Sequence, residues 1–68
     1  MVAIGDKIKI AEDNDNENYA PWRNKILTVE AVYESVEDNP LYDEEIGGQM
    51  VDCKDFPYSL YEYEFEVQ

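Results

Sequence analysis

The 68-residue sequence has no histidine, a single cysteine and only five basic side chains. Histidine is the side chain that most often acts as a general base near neutral pH, and it is the commonest ligand of transition metals. Its absence disfavours zinc sites and catalytic triads. The lone Cys53 cannot form a disulfide within the chain, which suits a reducing compartment. We therefore expect a cytoplasmic protein that holds no metal and no cofactor.

Long apolar runs are also missing. No stretch approaches the roughly 20 apolar residues of a membrane-spanning helix, and the first ten residues lack the basic and apolar segments of a secretory signal. The shortage of Lys and Arg disfavours contact with the phosphate backbone of nucleic acids and with anionic membrane surfaces. We expect neither direct nucleic-acid binding nor membrane binding.

Acidic residues are the dominant feature of the composition. The chain has 17 acidic and five basic residues, a formal net charge of −12, yet 44 % of its residues are hydrophobic, which is enough to fold. Residues 26–68 carry twelve acids and one lysine, a net of −11. A chain this short makes one domain, residues 1–68, with little room for an enzyme's substrate cavity. We expect a non-enzymatic protein whose partner is a basic protein surface.

Period-2 alternation and β-branched residues predict a small all-β fold. Residues 7–10 alternate isoleucine with lysine, residues 25–33 read as the central strand, and residues 49–53 make a short third strand. Residues 58–61 suit a 3-10 turn, and residues 62–67 predict a last strand with Tyr63 in the core. Long polar loops fill residues 11–24 and 35–48. The pattern predicts an antiparallel barrel of about five short strands.

Four segments resemble small Src-homology-3-like (SH3-like) barrel proteins, which recur as short uncharacterised proteins of phages, prophages and bacteria. They are residues 4–10 (IGDKIKI), 21–25 (PWRNK), 28–32 (TVEAV) and 59–67 (SLYEYEFEV). The resemblance implies an SH3-like barrel with a 3-10 turn before the last strand. A related barrel, the KOW domain, binds RNA through basic loops, and this chain lacks those bases.

A first hypothesis concerns the acidic residues. On the predicted last strand Glu62, Glu64 and Glu66 share one face at about 6.8 Å spacing, two strand rises. Further acidic candidates for the same face are Asp43, Glu44 and Glu45. Such a row imitates a phosphate backbone, and the chain would then inhibit a basic nucleic-acid-binding protein. The alternative is a solvated face that keeps the protein soluble.

A second hypothesis concerns aromatic residues in or beside the loops, which could anchor a peptide in a groove. The candidates are Tyr19, Trp22, Tyr42 and Tyr61. Aromatic anchors surrounded by carboxylates suit a peptide that contains arginine. The chain would then be a peptide-docking adaptor or a subunit of a larger assembly. The alternative is that these rings cap the ends of the barrel. The sequence leaves the oligomeric state open.

Two further features of the sequence, an acidic loop and the single cysteine, favour no functional site. Asp13, Asp15 and Glu17 alternate in the first loop and could hold a hard cation, but the spacing does not match the EF-hand pattern, so a polar loop is the preferred interpretation. Cys53 lacks a histidine to activate it, and its acidic neighbours Asp52 and Asp55 raise a thiol pKa. We expect it to be a small buried hydrophobic residue.

Overall fold

The computed structural model covers all 68 residues and contains five short strands and two 3-10 helices. In chain order they are β1 (Lys7–Ile10), η1 (Glu17–Trp22), β2 (Leu27–Tyr33), β3 (Met50–Cys53), β4 (Ser59–Tyr61), η2 (Glu62–Glu64) and β5 (Phe65–Val67). None of its helices has the length and apolar character needed to cross a membrane.

All strand pairs are antiparallel, and the order across the sheet is β4-β3-β2-β1-β5. The first residues of β2 pair with β1 and the remainder pairs with β3, with a register shift between Val29 and Ala31. An extra residue bends a strand and increases its twist, which lets β2 serve both halves of a curved sheet. The strand number, the antiparallel pairing and the 3-10 turn before β5 confirm the predicted all-β fold of about five short strands.

Four side chains with almost no exposed surface form the centre of the core, and they come from four different strands. They are Ile8, Val29, Val51 and Leu60. The alternation of β1 is confirmed, because Ile8 and Ile10 are buried while Lys7 is exposed and donates to Thr28 Oγ1 at 2.7 Å. Burial of these residues supplies most of the driving force that a chain of this size has.

The first loop contains a helix that the sequence pattern did not predict. Asn16 caps η1 by accepting a hydrogen bond from the Asn18 N–H through its side chain at 2.9 Å. Asn is a favoured capping residue, and capping starts a short helix that has no hydrophobic period of its own. The helix turns Tyr19 into the core and lays the Trp22 ring edge-on against Phe56, with 5.2 Å between ring centroids.

The positions predicted for two features of the C-terminal segment are wrong, although a 3-10 turn does precede the last strand. The predicted 3-10 turn at residues 58–61 is largely β4, and the predicted strand at residues 62–67 begins only at Phe65, because residues 62–64 form η2. The Glu64 carboxylate accepts a hydrogen bond from the Tyr61 N–H at 3.1 Å and closes that turn. The chain rotates there, so Tyr63, predicted in the core, is 69 % exposed while Glu64 is 9 % exposed.

Gln49 is a polar residue at the start of the third strand segment, and it is only 3 % exposed. Its side-chain amide pairs with one backbone residue, accepting from the Val2 N–H at 2.7 Å and donating to the Val2 carbonyl at 2.9 Å. This pair of bonds imitates a rung of a β-ladder. It fixes the N-terminal segment and holds the Val2 side chain in the core.

We expect Gln49→Leu to destabilise the protein by about 1–3 kcal/mol, because it leaves the buried backbone groups of Val2 without partners. Urea denaturation measures the loss, and hydrogen exchange should show that the Val2 amide is protected in the parent chain and exposed in Gln49→Leu. Gln49→Glu is the matched control, since it keeps the acceptor and removes the donor. Equal stability of all three chains would contradict the assignment.

Candidate functional site

Tyr63 is a largely exposed ring that forms a wall of two neighbouring clefts. The Glu62 cleft has a volume of about 440 Å³ and is lined by Ile46, Gly47, Gly48, Glu62 and Tyr63. The Glu64 cleft, of about 300 Å³, is lined by Asp13, Asn14, Asp15, Asn16, Tyr63 and Glu64. The fold thus brings acidic residues from the first loop and from η2 into two clefts that share one exposed aromatic ring.

Hydrogen bonds attach the loop before β3 to the segment that carries Glu62. The Tyr42 hydroxyl donates to the Gly48 carbonyl at 2.6 Å, and the Asp43 N–H donates to the Tyr61 hydroxyl oxygen at 3.0 Å. The Gln49 N–H donates to Glu62 Oε1 at 3.0 Å. The Glu62 cleft is therefore preorganised, because both of its sides are held by the same small network.

Two consecutive glycines form the floor of the Glu62 cleft, and both have left-handed backbone conformations, with φ of +72° at Gly47 and +69° at Gly48. A Cβ added at Gly48 would lie 3.1 Å from Glu62 Cδ and Oε2, whereas one at Gly47 would meet only the Glu44 carbonyl oxygen at 3.9 Å. Gly48 therefore has two roles: it allows the turn, and it lets the Glu62 carboxylate lie directly against the backbone.

Glu64 forms the inner wall of the other cleft and is largely buried. Besides Tyr61, it receives long hydrogen bonds of 3.4 Å from the Asn14 side-chain amide and from the Tyr19 hydroxyl. Burial, with help from the nearby Glu64 charge, raises the pKa of Tyr19 to about 12. The Tyr19 hydroxyl thus stays protonated and can keep donating to Glu64.

Three tyrosines form a row that runs from the core to the surface. The Tyr42 ring is buried and lies 6.1 Å from the Tyr61 ring, which in turn lies 6.5 Å from Tyr63 and nearly parallel to it at 16°. Burial raises the pKa of Tyr42, and the charges of Glu34, Glu44 and Glu62 raise it further. Acidic residues from the loop between β2 and β3 and from η2 therefore lie around this row.

The four predicted aromatic anchors do not form one groove. Tyr42 and Tyr61 belong to the row behind Tyr63, and both Tyr19 and Tyr42 are buried. Trp22 belongs to a second group with Phe56 and Tyr58, is half-buried, and donates through its indole N–H to the Asp55 carbonyl at 3.2 Å. Tyr63 is the most exposed ring of the chain, and the sequence pattern had placed it in the core.

The predicted glutamate row is not formed. Glu62 lines its cleft from η2, Glu64 is buried between Tyr19 and Tyr61, and Glu66 is exposed on β5 opposite Lys9. The candidates Asp43, Glu44 and Glu45 are exposed in the turn that leads to Gly47. Because one of the three glutamates is buried and the others sit on different elements, they cannot present charges at the regular spacing of a phosphate backbone.

The acidic residues of the first loop and Cys53 complete the candidates drawn from the sequence. No group of three or more acidic or cysteine side chains lies close enough together to hold a metal ion, and this includes Asp13, Asp15 and Glu17. Cys53 is buried, as predicted, and burial, with the charge of Asp52 as a smaller contribution, raises the pKa of its thiol to about 11. A thiol in that state is a poor nucleophile.

The sequence pattern missed the residues that make the clefts, which are Ile46, Gly47, Gly48 and Tyr63. A signal was present in the Gly-Gly pair, since two adjacent glycines after an acidic turn indicate left-handed backbone beside a close approach. Tyr63 gave no such signal, because its exposure depends on the η2 turn that interrupts the alternation.

Comparison with protein-family profiles, with curated proteins and with solved structures finds no match to this chain.

Proposed function

We propose that the protein is a non-enzymatic interaction module that binds a basic protein surface through Tyr63 and the two acidic clefts beside it. The observation that carries this proposal is the exposed Tyr63 ring, which lines two clefts that contain acidic residues from two separate segments. Aromatic rings act as anchors at protein interfaces, and surrounding carboxylates speed the approach of a positively charged partner.

The proposal joins the two hypotheses drawn from the sequence and changes the residues of each. The aromatic contact moves from Trp22 to Tyr63, because the Trp22 ring packs on Phe56 and its indole N–H is already bonded. The acidic contact moves from a strand face to the clefts. A partner that normally binds nucleic acid remains one member of the class, since such proteins are basic. We place the interaction in the cytoplasm of a phage-infected or prophage-bearing bacterium, following the resemblance to SH3-like barrel proteins.

We expect the complex to dissociate as salt is raised and to depend on the cleft residues in particular. The test variant is Asp13→Asn, Asp15→Asn and Glu62→Gln, which removes three charges that line the clefts. The immobilised chain captures proteins from a bacterial lysate at low salt, and the partner is then eluted with increasing salt. The test variant should lose most of the partner that the parent chain captures.

The matched control is Glu30→Gln, Asp55→Asn and Glu66→Gln, which removes the same charge from exposed residues that line neither cleft. This control should keep the partner. Equal retention by both variants, or equal loss, would contradict the proposal, because binding would then follow net charge and not the Tyr63 surface. Circular dichroism of the three chains establishes that each is folded.

A further inference from the structure

We infer that the Glu62 cleft accepts an arginine side chain of the partner, with the guanidinium flat against the Tyr63 ring and hydrogen-bonded to the Glu62 carboxylate. This inference rests on the proposed function and names the chemistry of one of its two clefts. It is carried by the geometry of Glu62, by the exposed ring of Tyr63, and by the space that Ile46, Gly47 and Gly48 leave beside them.

The Glu62 carboxylate is held in one orientation. Its Oε1 accepts the hydrogen bond from the Gln49 N–H, and its Oε2 lies beside Gly48 with no hydrogen bond from the chain. A fixed carboxylate with a free oxygen at the edge of a cleft is a prepared acceptor. It can receive a charged donor without the loss of freedom that weakens an exposed ion pair.

The Tyr63 ring is also preorganised, like the Glu62 carboxylate. It is backed by the nearly parallel ring of Tyr61, whose hydroxyl accepts the Asp43 N–H. Its exposed surface faces the cleft that Glu62 also lines. The two groups that a guanidinium prefers, a flat aromatic face and a carboxylate, therefore border the same space.

Arginine fits this cleft better than the alternatives do. Lysine carries a compact, strongly hydrated charge that gains little from a flat ring in an open cleft, whereas guanidinium is planar and weakly hydrated. Ile46 offers an apolar contact for the arginine methylenes, and Gly47 and Gly48 leave room for them because they have no side chains. A second copy of this chain is disfavoured because each copy carries a net charge of −12.

The probes are two peptides, acetyl-Gly-Arg-Gly-amide and acetyl-Gly-Lys-Gly-amide, titrated into the isotope-labelled chain at low salt and followed by NMR. We expect saturable shifts at the amides of Ile46, Gly47, Gly48 and Tyr63, with the arginine peptide binding about two- to fivefold more tightly than the lysine peptide. The preference should vanish in Tyr63→Leu, where the aromatic face is lost and the charges are unchanged.

Gly48→Ala and Gly5→Ala form a matched pair for the role of Glu62. Both introduce the same side chain at a left-handed residue, but the Cβ at position 48 meets the Glu62 carboxylate, whereas the one at position 5 meets nothing within 4 Å. Gly48→Ala should weaken binding of the arginine peptide, while Gly5→Ala, which lies outside the cleft, should leave it close to that of the parent chain. The spectra also report whether each variant is folded.

Equal affinity for the two peptides, or shifts that avoid the cleft, would overturn the arginine assignment. The proposed function would stand in that case, because its own test compares capture by the charge variants and not the two peptides. A self-association in which the cleft amides shift with protein concentration would also overturn the inference, since a second copy would then occupy the cleft.

Discussion

Leu60→Ala is expected to leave most of the protein unfolded, or close to unfolding, at room temperature. Leu60 is fully buried and pairs with Val51 across the β3–β4 ladder at the centre of the core. Removal of a buried leucine side chain costs about 2–5 kcal/mol. A chain of 68 residues has about 3–10 kcal/mol of stability in all. The loss is therefore comparable to the whole margin, because a small domain has no second core.

Leu41→Ala is the control for this prediction, since the substitution is the same and Leu41 is 84 % exposed. This substitution should change the free energy of unfolding by no more than about 0.5 kcal/mol. Urea denaturation followed by circular dichroism gives both values. If Leu60→Ala melted within a few degrees of the parent chain, the centre of the core would have to lie elsewhere, and the placement of β4 in the sheet would be wrong.

The sequence predicted the strands correctly in segments where a single local preference determined the structure. The alternation of Ile8 and Ile10 with lysines gave β1, and the β-branched residues around Val29 gave the central strand. Prediction failed where a side chain competed with the pattern. Asn16 starts η1 without a hydrophobic period, and Glu64 closes η2 inside an alternation that reads as strand.

The candidate site was harder to predict from the sequence, because its clefts depend on local structure that the pattern did not predict. The Glu62 and Glu64 clefts exist because η2 turns Tyr63 outward and Glu64 inward. A two-residue period cannot show this, since it depends on Tyr19 and Asn14, which are far away in the sequence and reach the Glu64 carboxylate only after folding. The acidic character of the site was visible from composition, but the choice among 17 acidic residues needed the tertiary structure.

Stability is expected to fall steeply as the pH rises above about 9. Burial raises the pKa of Cys53 from 9.0 to about 11 and that of Tyr19 from 10.0 to about 12. A hydrogen bond to Asp52 raises the pKa of Tyr33, and burial raises that of Tyr42. All four groups lose their protons more readily in the unfolded chain. The stability that they contribute is therefore complete below pH 9 and is lost between about pH 9 and 12.

Urea midpoints measured from pH 7 to 11 check this prediction. We expect a plateau up to about pH 8.5 and then a decline, because the unfolded chain binds fewer protons than the folded chain in that range. Tyr19→Phe removes one of the shifted groups, so its decline should be shallower by on the order of 1 kcal/mol at the alkaline end, allowing for solvent screening. Cys53→Ala should act in the same direction at lower pH.

The comparison of Tyr19→Phe with Glu64→Gln tests the buried contact behind the Glu64 cleft. If the Glu64 charge contributes to the raised pKa of Tyr19, Glu64→Gln should also make the alkaline decline shallower, because a neutral amide no longer disfavours the tyrosinate. Identical declines in the parent, Tyr19→Phe and Glu64→Gln chains would contradict the placement of Tyr19 against Glu64. The inward turn of Glu64, and with it the outward turn of Tyr63, would then lose its physical cause.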